Sequence, residues 1–385
     1  MVPIEQLDVN KSQETLGVYS NPAGDDKDQH DKILKAVEKW TSRTRNAHFP
    51  AKYAWVSYRF KLWPSIRYGI ATMATPLKVA QKLLSTYNYR MLSFLGINRN
   101  VKKEWRTIPR AFGGVGLLCF STEQTICALN MLIQHFGVPS NLGKKFRLSL
   151  EILQLEIGTK GNPLTADYAV YSPLATFCWY KSLWEKLWYY GFPVYLDYPD
   201  FDLPREGDAM LVDLFLEAGY VGEALKSLNR CRLALQMLFL SDIVTADGRN
   251  VDRALLNPVR EAINNSTYQF PREEPTDNDW TEWVMFWTRF THHGLCLHTP
   301  MGKWVAPSHR RWQWYYDVAN DVVEHLTDNG VDYYHKADTR RRTRSEQTYI
   351  RIRSDPSAIQ HQATQPQSHA STRHQFDISV LVHHS

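Results

Sequence analysis

The chain has few cysteines and no long hydrophobic run, and these two shortages argue against two classes of protein. Its five cysteines are widely separated: Cys119, Cys127, Cys178, Cys231 and Cys296. An odd number at such intervals argues against the disulfide framework of a small secreted domain. The stretch 177–192 is the most hydrophobic, but it is short and interrupted by Lys181, Glu185 and Lys186, which excludes a membrane span. Because the first residues also lack the apolar core of a signal peptide, we expect an intracellular protein, nuclear or cytoplasmic.

The motifs of several enzyme classes are also missing. The sequence contains no Gly-x-Ser-x-Gly nucleophile elbow, no Walker loop and no His-Glu-x-x-His zinc motif. Gly113-Gly-Val-Gly116 lacks the third glycine of a dinucleotide fingerprint, so a tight turn between a strand and a helix is the favoured interpretation. His292-His-Gly-Leu-Cys-Leu-His298 has ligand-type side chains without a second ligand pair at finger spacing. We therefore predict no metal site, no catalytic residue and no cofactor in this chain.

Positive charge is concentrated in one part of the sequence. The whole chain carries a formal net charge of +5, but residues 25–110 contain eighteen Lys and Arg against six Asp and Glu, a net charge of +12. The remaining residues therefore sum to about −7. Such asymmetry indicates a polyanionic partner for the basic part. Aromatic residues make up 13% of the chain, which suits either large apolar cores or surfaces on which bases stack.

Residues 26–45 have a two-faced helical pattern. At about 100° per residue, Ile33, Val37 and Trp40 fall on one side. Four cations lie within an arc of roughly 80° on the opposite side: Lys32, Lys35, Lys39 and Arg43. A row of cations along one helix face can neutralise several phosphates, and such binding is independent of sequence and weakens steeply with salt. The competing interpretation is a solvated polar face.

Further cations extend the predicted nucleic-acid-binding surface. On the same and the following helices they are Arg45, Lys52, Arg59, Lys61 and Arg67, and they are interleaved with Trp55, Tyr58 and Tyr68. A second basic cluster comes near the end of the chain and comprises Arg340, Arg341, Arg342 and Arg344. This cluster is typical of either an RNA contact or a nuclear localisation patch.

An ordered series of short runs resembles one family. The runs are Leu16-Gly-Val18, the helix from Lys27 to Arg45, Gly113-Gly-Val-Gly-Leu117, Ser149-Leu-Glu-Ile-Leu-Gln-Leu-Glu-Ile-Gly158, Leu228-Asn-Arg-Cys-Arg232, Leu240-Ser-Asp-Ile-Val-Thr-Ala-Asp-Gly248, Thr299-Pro-Met-Gly-Lys-Trp304 and Trp312-Gln-Trp-Tyr-Tyr-Asp317. Together they resemble the C-terminal part of a reverse transcriptase from retrotransposons without long terminal repeats. The resemblance covers about residues 12–335, with Leu16-Gly-Val18 as the strand that leaves the catalytic palm for the thumb.

The resemblance implies a thumb without a palm. In that family the catalytic aspartates precede the Leu-Gly-Val strand, and this sequence has no matching position for them. Gly24-Asp25-Asp26 follows the strand, and we predict that its two aspartates cap the next helix rather than hold metal ions. Mg²⁺ would then be needed only if a palm is supplied elsewhere. Residues 26–92 would hold a template–primer duplex through its phosphates.

The predicted fold is mainly α: a thumb-like helical bundle, a further helical region and a small C-terminal β-meander, which make the chain α+β overall, with a disordered tail. We divide the chain into a remnant with one strand over residues 15–20 (1–24), a basic thumb-like domain (25–109), a helical extension (110–270), a linker (271–279), an aromatic-rich domain (280–353) and the tail (354–385). The meander is expected over 304–335, with a hairpin turn at Asp328-Asn-Gly330.

Three functional hypotheses follow. The first is a truncated, reverse-transcriptase-derived protein that binds the backbone of RNA or DNA without sequence preference and does not polymerise alone. The second is a fragment of an active RNA-directed DNA polymerase whose palm is missing from this sequence. The third is a protein-interaction module built on tryptophan-rich helices. Each predicts a protein without membrane partners, and none predicts an oligomeric state.

Overall fold

A computed structural model describes two compact units. Side chains and backbone are described for residues 8, 11–15, 18–20, 24–245 (Thr86 in its backbone only), 248–256, 268, 270–271, 273–292 and 294–302, and the backbone alone for five later strands. Unit 1 comprises Met1–Gln154 and Asn162–Tyr198, and unit 2 comprises Leu155–Gly161 and Pro199–Ser385. Among the described residues, no helix is both long and apolar enough to cross a membrane.

Unit 1 is mainly helical, as predicted. It starts with two short strands, β1 (Gln13–Thr15) and β2 (Val18–Ser20). The α-helices that follow are α1 (Lys27–Asn46), α2 (Ala51–Ser57), α3 (Trp63–Ile70), α4 (Leu77–Leu83), α5 (Ser85–Phe94), α6 (Lys103–Thr107), α7 (Phe120–His135), α8 (Asn141–Ile157), α9 (Tyr168–Tyr171) and α10 (Trp179–Tyr190). The last three residues of α8 belong to unit 2. The boundary that we place at residue 109 falls inside unit 1, where Leu117 and Phe120 share one core with α1–α5.

The prediction of one strand over residues 15–20 is wrong. β1 and β2 pair antiparallel, with Thr15 opposite Val18 and Gln13 opposite Ser20. A lone strand would leave its backbone N–H and C=O groups without hydrogen-bond partners, and the neighbouring strand supplies these partners. Leu16 and Gly17 of the Leu-Gly-Val run lie outside the described residues.

Proline disfavours a helical conformation in the residue before it, so the sequence predicts that the helix starting after Pro50 ends at Trp63, but the helix continues beyond Pro64. α2 leads into a π-helical turn, Tyr58–Leu62, and this turn leads directly into α3. In the turn the N–H of Trp63 donates to the carbonyl of Tyr58, five residues back. Proline has no N–H to donate, and a π turn changes the hydrogen-bond register so that the helix can continue past it. α2 and α3 therefore form one helical segment with a local irregularity.

The ring of Tyr58 lies at the centre of the core of unit 1. Its side chain is completely buried, and the rings of Trp40, Trp55 and Trp63 meet it edge-on at centroid distances of 5.7–6.1 Å. The Tyr58 hydroxyl accepts a hydrogen bond from the N–H of Leu118 at 3.1 Å. Edge-on contacts of this kind are the favoured geometry for aromatic pairs. One tyrosine thus joins α1, the α2–α3 segment and the approach to α7.

Buried polar contacts fix the first turn of α1. Asp26 occupies the N-cap position as predicted, but its side chain makes no capping hydrogen bond. Its carboxylate instead accepts a bond from the N–H of Ala74 at 2.6 Å, while Asp25 accepts one from the N–H of Lys27. Burial raises the pKa of the Asp26 carboxyl to about 6. The predicted capping role is therefore wrong for Asp26, which connects α1 to a loop 48 residues away.

Thr75, in that same loop, is a second point of attachment. Its hydroxyl is hydrogen-bonded to the His30 Nε2 at 3.0 Å, and its carbonyl accepts from the Lys186 Nζ of α10 at 2.6 Å. Lys186 is almost fully buried, and burial lowers the pKa of its amine to about 8. α1 is thus held at a fixed orientation in unit 1.

Unit 2 contains the helices α11 (Leu211–Glu217), α12 (Gly222–Ala234) and α13 (Asp277–Phe290). The sequence pattern predicts a helix over about residues 222–240, but α12 ends at Ala234. Gln236 has φ 57°, its N–H bonds to the Leu233 carbonyl, and the N–H of Met237 bonds to the Arg232 carbonyl. This is a Schellman ending with glutamine in the left-handed position. α13 starts with a capping box between Thr276 and Asp279.

The predicted β-meander is present as a five-stranded antiparallel sheet. Its order is β3 (Trp314–Asp317), β4 (Val322–Thr327), β5 (Gly330–Lys336), β6 (Glu346–Ile352) and β7 (Val380–His384). Thr327 pairs with Gly330, which confirms the predicted hairpin. Within the predicted tail, residues 380–384 form β7, whose backbone pairs with that of β6. Residues 354–379 and 385 of the tail lie outside the described part of the chain.

Candidate nucleic-acid interface

The basic face of α1 is exposed as predicted. Ile33, Val37 and Trp40 are buried, whereas Lys35, Lys39 and Arg43 face solvent. These three cations follow one another at four-residue intervals, which is about 6 Å along a helix axis. Within the part of the chain that the structure describes, none of the three has an ion-pair partner. Their charges are available to an external anion.

Lys32 differs from the other three cations of the predicted row. Its Nζ forms an ion pair with the Glu14 carboxylate of β1 and lies 5.2 Å from the centroid of the Tyr19 ring. The Lys32 side chain is 37% exposed, and its hydrogen bond lowers the pKa of Glu14. The prediction that Lys32 is equivalent to its neighbours is wrong, because a carboxylate eighteen residues away already partners it.

The cationic surface continues from the end of α1 onto α2. Arg43 and Arg45 occupy the last turn of α1, where cations are favoured by the helix dipole, and Lys52 lies in the first turn of α2. Arg45 and Lys52 are both exposed. Between Glu38 and Glu104 the sequence contains no Asp or Glu. This part of the surface therefore carries positive charge without intervening carboxylates of its own.

Three more predicted cations lie on the α2–α3 segment. Arg59 and Lys61 are exposed within the π-helical turn. Arg67 is also exposed, but its Nε lies 3.4 Å from the Glu123 carboxylate of α7, which partly neutralises it. Lys52, Arg59 and Lys61 are therefore better placed to bind a polyanion than Arg67.

Two of the three aromatic residues that are interleaved with these cations belong to the core. Tyr58 is fully buried, and Trp55 is partly buried with the Arg110 guanidinium 3.9 Å above its ring centroid. The indole N–H of Trp55 donates to the carbonyl of Leu95. Of the three, only Tyr68 is exposed. Interleaving in sequence therefore does not place a ring at the surface.

The structure instead exposes a different set of apolar side chains on the same helix. Tyr53 is 60% exposed and Phe60 is 77% exposed, with the exposed Val56 between them. Their spacing of three and four residues places them on one helix face. This spacing could have identified the three side chains from sequence, because it places them on the side of the helix opposite to the buried Ala54 and Tyr58. The α2 face denotes this surface: Lys52, Tyr53, Val56, Arg59 and Phe60.

A glycine-rich bend packs beside the α2 face. The tight turn predicted at residues 113–116 is present, but a 3-10 turn, Arg110–Phe112, precedes it in place of the expected strand. Gly113 has φ 80°, and a Cβ on Gly114 would clash with the carbonyl oxygen of Ile108. A Cβ on Gly116 would lie 3.5 Å from the Arg59 guanidinium. The bend also exposes Phe112. It therefore places an additional ring and the cation of Arg110 next to the α2–α3 segment.

The remaining predicted site residues lie elsewhere. Arg340, Arg341, Arg342 and Arg344 are outside the described residues. In unit 2 the His292 and His298 rings are 3.7 Å apart, and the Cys296 thiol donates to Asn250. No group of three or more metal-ligating side chains that could hold an ion occurs in the described part of the chain.

Comparisons with known proteins give no match: no protein-family model, no curated protein and no solved structure matches this chain. The candidate interface therefore depends on the geometry and charge of unit 1. The resemblance to reverse transcriptases stays a prediction.

Proposed function

We propose that this protein binds the backbone of nucleic acid, without sequence preference, through the exposed cations of α1 and the α2 face. The observation that carries the proposal is the row of Lys35, Lys39 and Arg43, which the described residues leave without ion-pair partners. Phosphates are the abundant anions with a regular spacing that such a row can neutralise together.

The absence of carboxylates in the sequence beyond Glu38 supports the proposal. A solvated polar helix face in an ordinary protein mixes both signs of charge. Here the only formally charged side chains of residues 39–103 are Lys and Arg, and Lys52, Arg59 and Lys61 extend the positive electrostatic field beyond α1. A field of one sign attracts a polyanion and raises its association rate.

We also propose that this role corresponds to the thumb of a retrotransposon reverse transcriptase. The ordered runs of sequence and the basic helix support it, while the β1–β2 hairpin departs from the single exit strand that the resemblance implies. The hypothesis of a tryptophan-rich interaction surface has less support, because Trp40, Trp63 and Trp184 are buried in unit 1. Polymerisation is not part of the proposal, and nucleotide incorporation in a primer-extension assay with Mg²⁺ would contradict it.

A charge-reversal series tests the proposed binding. We expect the triple variant Lys35→Glu, Lys39→Glu, Arg43→Glu to lose at least 100-fold in affinity for a labelled oligonucleotide at about 50 mM salt, since three favourable phosphate contacts become repulsive. The control variant is Lys226→Glu, which reverses a cation of unit 2 whose Nζ is paired with Glu223, and we expect it to bind the oligonucleotide as the wild type does. Wild-type protein that fails to bind any oligonucleotide at 50 mM salt would refute the proposal.

A further inference from the structure

The α2 face exposes apolar side chains and cationic side chains next to each other. Tyr53, Val56 and Phe60 present an apolar strip, and Lys52 and Arg59 border it. Exposed aromatic side chains on a monomer usually mark a binding surface when they are contiguous. The charge beside this strip is of one sign, so the ligand that complements it must carry both flat apolar groups and negative charge.

We propose that the α2 face binds single-stranded nucleic acid by stacking unpaired bases on Tyr53 and Phe60. This inference rests on the proposed backbone binding and specifies its ligand. Phe60 lies seven positions after Tyr53, a distance of about 10 Å along a helix axis. Each ring therefore takes a different base. Arg59 lies between the rings in sequence and Lys52 precedes them, where they can contact the phosphates that join those bases.

The glycine-rich bend beside the α2 face favours a single-stranded ligand over a duplex. Phe112 is as exposed as Phe60, and the bend that carries it places Arg110 on Trp55 and packs Gly116 against the Arg59 guanidinium. The bend that contacts Trp55 and Arg59 thus carries a third exposed ring. Bases in a duplex are paired and stacked on each other, and only unpaired bases can lie on protein rings.

An experiment can distinguish the contribution of base stacking to affinity from that of phosphate contacts, because only the phosphate contacts depend on salt concentration. Base–aromatic stacking is sequence-tolerant and contributes to affinity at any ionic strength, whereas phosphate contacts weaken as salt rises. We expect the wild-type protein to prefer a 12-nucleotide oligo(dT) over a 12-base-pair duplex by at least tenfold at 150 mM salt.

The decisive variant is Tyr53→Ala with Phe60→Ala, measured by fluorescence anisotropy on both ligands. We expect roughly a 25-fold or greater loss of affinity for oligo(dT), a loss below threefold for the duplex, and an unchanged salt dependence. The variant Tyr53→Trp with Phe60→Trp keeps two rings and should retain oligo(dT) binding. Both changes are at exposed positions, and a thermal unfolding curve verifies that the fold is intact.

The matched control is Phe192→Ala with Tyr195→Ala. These two side chains are also one phenylalanine and one tyrosine of unit 1, 58% and 85% exposed, but the carboxylates of Asp197 and Asp200 follow them closely in sequence. We expect this control to bind oligo(dT) as the wild type does.

The outcomes distinguish the two proposals. Wild-type protein that binds neither ligand would refute backbone binding and, with it, base stacking. Wild-type binding that survives in the Tyr53→Ala, Phe60→Ala variant, or falls equally for oligo(dT) and the duplex, would refute stacking alone. A variant that changes only self-association in analytical ultracentrifugation would show that the strip contacts protein, which also overturns the inference.

Discussion

Helices α1 and α12 each carry a set of cations, and the two helices use them in opposite ways. On α1, Lys35, Lys39 and Arg43 face solvent without ion-pair partners among the described residues. On α12, Lys226 is paired with Glu223, and Arg230 contacts both Glu223 and Asp279. The same type of side chain therefore serves as an available charge in one helix and as a structural contact in the other.

Arg232 is the extreme case on α12. It is completely buried, and its guanidinium donates to the carbonyls of Leu155, Glu156 and Met237 and to the Asn229 side chain. Burial lowers the pKa of Arg232 to about 9. Planar guanidinium groups suit such multiple contacts. Arg232 thus holds the start of unit 2 to α12.

The comparison shows that the number of cations in a helix does not identify a binding surface. If α1 binds nucleic acid as proposed, the feature that distinguishes the two helices is the supply of protein acceptors around each cation. On α12 the cations are bonded to Glu223, Asp279 and backbone carbonyls, whereas on α1 no carboxylate follows Glu38, and the next one in the sequence is Glu104. Four predictions test this difference, in order of expected effect.

The largest effect is expected from Arg232→Met compared with Arg43→Met. Removing Arg232 leaves several buried carbonyls without donors, so we expect the free energy of unfolding to fall by about 3 kcal/mol. Arg43→Met should change it by less than about 0.5 kcal/mol, because Arg43 is exposed. Urea denaturation followed by circular dichroism measures both. Equal effects on stability would remove the distinction between the two helices.

Asp279→Asn tests the bidentate contact between α13 and α12. The Arg230 Nη2 lies 2.6 Å from Asp279 Oδ1, and Asp279 also belongs to the capping box of α13. Burial alone would raise the pKa of Asp279, but hydrogen bonds from Arg230, Ser227 and Thr276 outweigh it and hold the pKa well below its usual range. We expect a loss of about 2 kcal/mol at pH 7.

The sign of the pH dependence follows from that depressed pKa. Ionised Asp279 stabilises the fold above the usual pKa, and this contribution is lost as pH falls through the lower pKa of the folded state. The difference between wild type and Asp279→Asn should therefore be constant from pH 5 to 8 and shrink only below about pH 4. A difference that already shrinks at pH 6 would contradict this assignment.

Asp26→Asn tests whether the N-terminal turn of α1 is held by a carboxyl that resists ionisation. Because burial raises its pKa to about 6, folded protein binds more protons than unfolded protein between about pH 4 and pH 6, and stability falls as pH rises through that window. Asparagine keeps an acceptor for the Ala74 N–H and does not ionise. We expect the variant to melt on the order of 2 °C higher than wild type at pH 7 and at the same temperature near pH 4.

Thermal unfolding by circular dichroism at several pH values measures this difference. A lower melting temperature for Asp26→Asn at pH 7 would show that attraction to the buried Lys186 ammonium outweighs the cost of burial. α1 would then depend on an ion pair, as α12 does.

The smallest effect is expected from Lys32→Gln. Because Lys32 is paired with Glu14, we expect less than a twofold loss of oligonucleotide affinity at about 50 mM salt. Lys35→Gln should lose threefold to fivefold under the same conditions, since Lys35 has no such partner. If the two variants lose affinity equally, the ion pair in unit 1 does not determine which cations bind.

Local periodicity predicts the parts of this molecule that depend on neighbours in sequence. The buried face of α1 and the hairpin before Gly330 are confirmed, because residues three to four apart share a helix face and a two-residue turn joins adjacent strands. The exposed positions of Lys35, Lys39 and Arg43 follow from the same pattern.

The errors arise where a distant residue supplies the partner. Lys32 is paired with Glu14, and Asp26 binds the N–H of Ala74, and neither contact is visible in a helical pattern. The π turn Tyr58–Leu62 shifts the helix register before Pro64, and a hydrogen-bond pattern of this kind is not visible in an α-helical spacing. The exposure of Tyr53 and Phe60 can be predicted from sequence, since their spacing places them on the helix face opposite to the buried side of α2.

The salt dependence of binding shows directly whether the cations of α1 neutralise phosphates. The affinity of the wild type for a duplex oligonucleotide is compared with that of Lys35→Gln, Lys39→Gln, Arg43→Gln over 50 to 300 mM salt. If each of the three cations neutralises one phosphate, the slope of log affinity against log salt should become less steep by roughly 2.7 in the variant. An unchanged slope would mean that α1 does not contact the backbone and would contradict the account.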